Sequence, residues 1–137
     1  MFYGVQTLLN AAANISKALW GQGHKFASER QDLRDRIGID DSSPLSTVTV
    51  RNRFEHFDEK LDKWWRDPQR QGYIDLWIGP QSAIQGVAPR DRFRAFDPTT
   101  TDIYFWGQEF NIQALVTEVQ RILPKLRYDA SKPPWVP

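Results

Sequence analysis

The sequence predicts a mainly α, α+β domain. Four segments carry apolar side chains at helical spacing, and three short runs between residues 72 and 106 are aromatic and β-branched, as strands are. The 137 residues suit one domain, and an apolar share of 40% with 13% aromatic residues suffices for a core. We therefore expect a single domain over residues 1–137, in which residues 68–108 form a β-hairpin or small antiparallel sheet inserted before the last helix.

The first segment has one apolar stripe with steps of three and four residues. Its members are Val5, Leu8, Ala12, Ile15 and Leu19. The stripe predicts a helix of about five turns that buries this face. Gly21 and Gly23 are expected to end the helix.

A second helix is predicted over about residues 25–37. Its apolar side consists of Phe26, Leu33 and Ile37, and its outer face carries Arg30, Arg34 and Arg36. Gly38 follows as the expected C-terminal stop.

A third helix is predicted from Ser43 to about Arg66. Ser43 offers a capping hydroxyl and is followed by a proline, and Asp67 and Pro68 are expected to end the helix. Its stripe comprises Val50, Phe54, Phe57, Leu61 and Trp64, and Trp65 widens it. The β-branched run at 47–50 disfavours helix locally. The aromatic residues stand at core spacing, which favours packing over the alternative, stacking on nucleic-acid bases.

Strands are predicted at 73–78, 92–96 and 102–106, with a loop at 79–89 and a hairpin joining the last two. A final helix follows an Asn111 cap and ends at Pro124. Its inward residues are Ile112, Leu115, Val119 and Ile122. Residues 129–137 are Pro-rich and are predicted to be an extended tail.

Composition excludes several classes of function. A net charge of +1 argues against a polybasic nucleic-acid-coating protein and an acidic disordered tail. The absence of cysteine excludes disulfides, thiolate zinc sites and a cysteine nucleophile, and two histidines argue against a His-rich metal site. The N-terminal stretch lacks a basic signal-peptide region, and no apolar run is long enough to span a membrane. We expect a cytoplasmic protein that needs neither a metal nor another cofactor.

The third helix contains the string Arg-Asn-Arg-Phe-Glu-His at residues 51–56. His56 points away from the apolar stripe and shares a helix face with Asn52. Arginine holds phosphate with a planar fork, and histidine exchanges protons near neutral pH. This pair suits RNA transesterification, in which the 2′-hydroxyl attacks the adjacent phosphorus. Because one imidazole cannot readily serve both oxygens, a two-fold dimer would bring two copies of the pair to one cleft.

This string resembles the signature of the HEPN superfamily, whose catalytic members carry Arg, four to six residues and then His, often with Asn after the Arg. The resemblance implies a HEPN-like helical bundle that forms a homodimer and acts as a metal-independent endoribonuclease in a toxin–antitoxin or phage-defence system. Arg51 and His56 would then be catalytic and Asn52 supporting, and an antitoxin protein would be a further partner. Asp58 stands where some antitoxin-paired members have a tyrosine that the partner modifies, which argues against that regulation here.

An RNA cleft needs cations, and the acidic residues of the third helix would repel phosphate. The candidate RNA-binding residues are Arg30, Arg34, Arg53, Lys60 and Lys63. Arg90, Arg92 and Arg94 alternate along the predicted hairpin, where solvation is favoured over phosphate binding.

Two alternatives stay open. The chain could be a non-catalytic helical dimer module that binds RNA or a partner protein. It could also be an unrelated small α+β domain in which Arg51 and His56 lie on a solvated helix face.

Overall fold

The computed structural model describes residues 1–46 and 56–133. The chain forms two compact units, Met1–Asn10 with Val48–Gln113 and Ala11–Thr47 with Ala114–Pro137. The described helices are α1 (Phe2–Trp20), α2 (Gln31–Ile37), α3 (Phe57–Trp65) and α4 (Ile112–Ser131). The described strands are β1 (Trp77–Ile78), β2 (Arg94–Asp97), β3 (Asp102–Phe105) and β4 (Gln108–Asn111). The predicted α+β class is confirmed.

The strands form one mixed sheet in the order β1-β2-β3-β4. The predicted hairpin is confirmed, since β2 and β3 pair antiparallel. The expectation of an antiparallel sheet was wrong at one edge, where β1 pairs parallel with β2. The first predicted strand is also shorter than expected. Leu76 has a φ of 57°, which interrupts the extended backbone between Ile74 and β1.

Strand β4 was not predicted, because its sequence Gln-Glu-Phe-Asn lacks β-branched residues. Trp106 and Gly107 connect it to β3 and have φ values of 52° and 78°. Positive φ at both central residues is typical of the type I′ turns that join antiparallel strands. The usual Asn-Gly signal is absent, so the turn was not recognised.

The core of the sheet-containing unit has Ile103 at its centre. This β3 residue packs with Val5 and Leu9, which lie on the first turns of α1. Phe96 and Phe110, its partners in the flanking strands, pack against the same cluster. Burial of these side chains removes apolar surface from water, which stabilises the sheet.

Helix α1 confirms the first predicted helix, but its buried face is turned by about one position from the predicted stripe. The buried residues are Val5, Leu9, Ala13, Ser16, Leu19 and Trp20. Trp20 is completely buried and donates its indole N–H to Asp41 Oδ1 at 2.6 Å. The predicted stripe omitted this indole, whose large apolar surface is buried on the observed face.

The second predicted helix was wrong in its start and its orientation. Turns occupy residues 25–30, and α2 begins at Gln31. Ile37 is buried as predicted, but Phe26 and Leu33, also predicted as apolar contacts, are exposed, and Arg34 is only 2% exposed. Gly38 ends the helix in the left-handed conformation, as predicted, with a φ of 68°.

Two other helix boundaries differ from prediction. Ser43, the predicted start of the third helix, lies with residues 44–46 in turns, and residues 47–55 lie outside the described part. The end of this helix agrees with the prediction, since α3 ends before Arg66. Pro124 does not end the last helix, which continues to Ser131. Pro124 has no backbone N–H to donate to the carbonyl of Gln120. Because both residues are exposed, water can donate to this carbonyl instead. The predicted extended tail is therefore helical at residues 129–131.

Candidate functional site

His56 is the described member of the candidate motif, and Arg51, Asn52 and Arg53 lie outside the described residues. It immediately precedes α3, and its side chain is 56% exposed. Its Nδ1 lies 3.2 Å from Oε1 of Glu59, one turn further along the helix. When Nδ1 donates this hydrogen bond, Nε2 is available to solvent or a ligand. An accessible imidazole oriented by a carboxylate is suited to proton transfer.

The face of α3 that begins at His56 is basic apart from Glu59, which contacts His56. Lys60 and Lys63 follow at four and seven residues, so all three side chains lie on one side of the helix. Neither lysine forms an ion pair with any residue in the described ranges. These two cations are thus free to attract an anion near His56.

Lys60 and Lys63 line a depression of ≈ 210 Å³ that we call the basic pocket. Its lining is Lys60, Lys63, Trp64, Asp67, Arg90 and Trp106. Arg90 donates a hydrogen bond to Oε1 of Gln69, which orients the guanidinium. Three cations against one carboxylate, beside two indole rings, suit a phosphate attached to an aromatic base.

Trp64 and Trp106 are fixed by contacts behind the basic pocket. The indole N–H of Trp64 donates to Oδ1 of Asp91 at 2.7 Å. Trp106 stacks on Phe93 with ring centroids 4.4 Å apart, and its backbone N–H donates to the Phe93 carbonyl at 2.8 Å. The two indoles therefore present rigid surfaces.

A second depression shares Trp64 with the basic pocket. It has a volume of ≈ 410 Å³, and we call it the aromatic pocket. Its lining is Phe57, Leu61, Asp62, Trp64, Trp65, Tyr73, Asp75 and Phe93. A volume in this range fits a small ligand.

Three rings form a column at the aromatic pocket. Tyr73 stacks on Phe93 with an interplanar angle of 10°, and Phe93 stacks on Trp106 at 24°. Trp64 meets Tyr73 and Phe93 edge-on, at 5.9 and 5.0 Å between centroids. Phe93 is buried, whereas Tyr73 is 66% exposed. Tyr73 is therefore the outer ring of the column, and its far face is open to a ligand.

The two carboxylates of the aromatic pocket differ in their partners. Asp75 accepts both hydrogen bonds of the Arg94 fork, at 2.8 and 2.5 Å, and the guanidinium lies 4.5 Å from the centre of the Phe57 ring. The hydrogen bond to Asp75 raises the pKa of Arg94 above its ordinary value. The Asp62 carboxylate has no hydrogen-bond or ion-pair partner in the part of the chain that the structure describes.

Two other predicted RNA-binding residues, Arg30 and Arg34, belong to the second unit, where they hold the end of α1. The Arg34 guanidinium donates to the carbonyls of Leu19 and Ala27 at 2.9 and 2.7 Å and stacks on Trp20. Arg30 donates to the carbonyl of Ala18 at 2.9 Å and to that of Lys17. The bonds to Ala18 and Leu19 give donors to carbonyls in the last turn of α1, where intrahelical donors run out. The burial of Arg34 gives it a structural role instead of a phosphate contact.

Sequence reasoning found Lys60 and Lys63 but missed two residues beside them. Arg90 was interpreted as a solvated residue of the hairpin, and Tyr73 as a strand residue. The spacing of His56, Lys60 and Lys63 was a usable signal for the basic face. Nothing in the local sequence indicates that residues 73, 90 and 106 approach α3, because that depends on the path of the chain from the segment before β1 to the turn after β3.

The described ranges contain no group of three His, Asp or Glu side chains that could hold a metal ion. Over the same ranges, no helix is both long enough and apolar enough to cross a membrane.

Comparisons with known proteins give no relative. The chain matches no family model, and neither curated proteins nor solved structures gave a match. The resemblance to the HEPN superfamily therefore depends on the residues at 51–56 alone.

Proposed function

We propose that this chain is a metal-independent endoribonuclease of the HEPN type that cleaves single-stranded RNA. The observation that carries the proposal is the shared helix face of exposed His56 with Lys60 and Lys63, two cations that line the basic pocket. A proton-transfer group beside a phosphate-binding surface is what cleavage of an RNA backbone requires.

The reaction is an attack by the ribose 2′-oxygen on the adjacent phosphorus. The 2′-hydroxyl proton passes to a base, the bond from phosphorus to the 5′-oxygen breaks, and an acid protonates that oxygen. The products are a 2′,3′-cyclic phosphate and a 5′-hydroxyl. His56 transfers protons through Nε2, Arg51 stabilises the charge of the pentacovalent phosphate, and Asn52 orients the phosphate or the imidazole. A homodimer supplies the second imidazole.

Lys60, Lys63 and Arg90 support single-stranded RNA as the substrate. Their charges attract the backbone, and the indoles of Trp64 and Trp106 provide surfaces on which bases can stack. By the same resemblance, the setting is a cytoplasmic toxin–antitoxin or phage-defence system, with an antitoxin protein as the partner.

The test is cleavage of a mixed RNA pool in EDTA by the wild type and by His56→Ala, Arg51→Ala and Asp58→Ala. Asp58→Ala is the matched control, an exposed residue at the start of the same helix. We expect cyclic-phosphate ends from the wild type and the control, and loss of cleavage in the other two variants with unchanged circular dichroism. Equal cleavage by all four proteins would remove His56 and Arg51 from the reaction.

A second candidate function is RNA binding without cleavage. It is favoured by the lining of the basic pocket, which does not include His56 among the described residues. In that case the wild type binds RNA without cutting it, His56→Ala retains full affinity, and Lys63→Gln with Arg90→Gln loses it.

A further inference from the structure

We propose that the aromatic pocket is a nucleobase site that selects guanine in single-stranded RNA. The inference rests on the proposed binding of RNA and adds the base that the site prefers. It is carried by an exposed ring at the end of a stacked column and by a carboxylate with free acceptor atoms in the same pocket.

Tyr73 provides the stacking surface. One face of its ring is covered by Phe93, and the ring is still largely exposed, so its other face is open. A base placed there continues the column of Tyr73, Phe93 and Trp106. The edge-on contact from Trp64 and the burial of Phe93 hold Tyr73 in place without a ligand. A rigid platform of this kind binds any base, because every base has a π-face.

Asp62 provides the selection. Asp75 is occupied by the fork of Arg94, which leaves Asp62 as the carboxylate of this pocket that has no partner among the described residues. An ionised carboxylate only accepts hydrogen bonds. The Watson–Crick edge of guanine offers two adjacent donors, N1–H and the N2 amino group, which match the two oxygens of a carboxylate. Adenine and cytosine offer one donor beside an acceptor, and uracil offers one donor between two acceptors.

Trp64 connects the two pockets, since it lines both. A nucleotide whose base occupies the aromatic pocket therefore has basic side chains, Lys60 and Lys63, nearby for its backbone. This relation explains why an acidic residue can lie within an RNA-binding surface. The base meets Asp62, and the phosphates meet the lysines.

The test measures the affinity of four fluorescent pentanucleotides, UUGUU, UUAUU, UUCUU and UUUUU, in 2′-O-methyl form. The methyl group blocks the attacking oxygen, so binding is measured on the wild-type protein without cleavage. We expect UUGUU to bind at least 10-fold more tightly than the other three. Tyr73→Ala should weaken UUGUU at least 5-fold, whereas Tyr128→Ala, an exposed tyrosine on α4, should leave all four affinities unchanged.

Asp62→Asn tests the selection directly. An amide offers one acceptor and one donor, and each of the four bases can match that pair on its Watson–Crick edge, so this variant should lose the preference for UUGUU. Asp58→Asn removes the same charge one turn earlier in α3. It should change all four affinities by a common factor and keep the preference for UUGUU.

The outcomes separate this inference from the proposed function. Equal binding of the four pentanucleotides by the wild type would overturn the guanine site and leave RNA binding intact. Absence of binding to any of them would overturn both. A third outcome is that the four pentanucleotides bind equally while tetramethylammonium quenches the tryptophan fluorescence of the wild type but not of Asp62→Asn. This result would assign the pocket to an organic cation and overturn the guanine site.

Discussion

The indole Nε1 of Trp64 lies 2.7 Å from Oδ1 of Asp91, a carboxylate that is 1% exposed. This hydrogen bond fixes the side chain that lines both pockets. The second oxygen of Asp91 accepts the backbone N–H of Gln71 at 3.4 Å. The buried Asp91 thus connects its own loop both to α3 and to the segment before β1.

Trp64→Phe should destabilise the protein, because it removes the donor and leaves a buried carboxylate oxygen without its partner. We expect a loss of about 1–3 kcal/mol in the free energy of unfolding, measured by urea denaturation. Trp65→Phe is the control, since that neighbour is 64% exposed, and its effect should stay within about 0.5 kcal/mol. Equal effects of the two substitutions would mean that the Asp91 contact contributes nothing.

Arg34→Met should be strongly destabilising. The substitution keeps an apolar stem but removes the donors to the carbonyls of Leu19 and Ala27. We expect a loss of about 1–3 kcal/mol in unfolding free energy, seen as a lower urea midpoint. Arg36→Met, on the exposed side of α2, should shift the midpoint little. If the two variants were equally stable, the structural role of Arg34 would be wrong.

Glu118 should contribute stability that depends on pH. The hydrogen bond from Arg121 is the largest influence and, with a smaller one from Ser43, lowers the pKa of this carboxyl below its ordinary value. Desolvation and the charge of Asp40 oppose this shift. A lowered folded-state pKa gives stability that is present above the unfolded pKa and lost as pH falls through the folded one. Unfolding of the wild type and Glu118→Gln, measured from about pH 7 to pH 3, should therefore differ at neutral pH and converge in acid. Glu29→Gln, an exposed control in the same unit, should differ from the wild type by the same small amount throughout.

The affinity for single-stranded RNA should depend on salt through the basic pocket. Each phosphate contact that is lost should make the slope of log K against log salt concentration less steep by about 0.7. Lys63→Gln and Arg90→Gln should each flatten the slope, measured on the 2′-O-methyl pentanucleotides. Lys25→Gln, an exposed lysine of the other unit, should leave it unchanged. A slope unaffected by the pocket substitutions would contradict phosphate binding there.

Local patterns in the sequence predicted the long elements well. The presence of α1, the end of α3 before Asp67 and the hairpin of β2 and β3 all follow from side-chain period and turn residues. Inward Leu115 and Ile122 of α4 are buried as predicted. These features depend on neighbours within a few positions, which the sequence displays directly.

The errors have a tertiary origin. Arg34 was predicted to face solvent because arginine is rarely buried, but the carbonyls at the end of α1 compensate its desolvation. Strand β4 pairs with the edge of β3, and the turn between them forms because Trp106 adopts a positive φ. The pockets combine α3 with residues up to Trp106, so only Lys60, Lys63 and the aromatic residues of α3 could be identified from helical spacing.

Each compact unit is assembled from two separated stretches of chain, and this has a consequence for synthesis on the ribosome. Residues 11–47 emerge before the sheet-forming residues, yet their unit also requires residues 114–137, which emerge after them. The sheet-containing unit ends at residue 113, so all of its parts have been synthesised before the other unit is complete. Residues 11–47 thus wait without their partners. A ribosome that stalls before residue 114 leaves Ser43 without Glu118, the carboxylate that accepts its hydroxyl hydrogen bond, a form that holdase chaperones and proteases recognise.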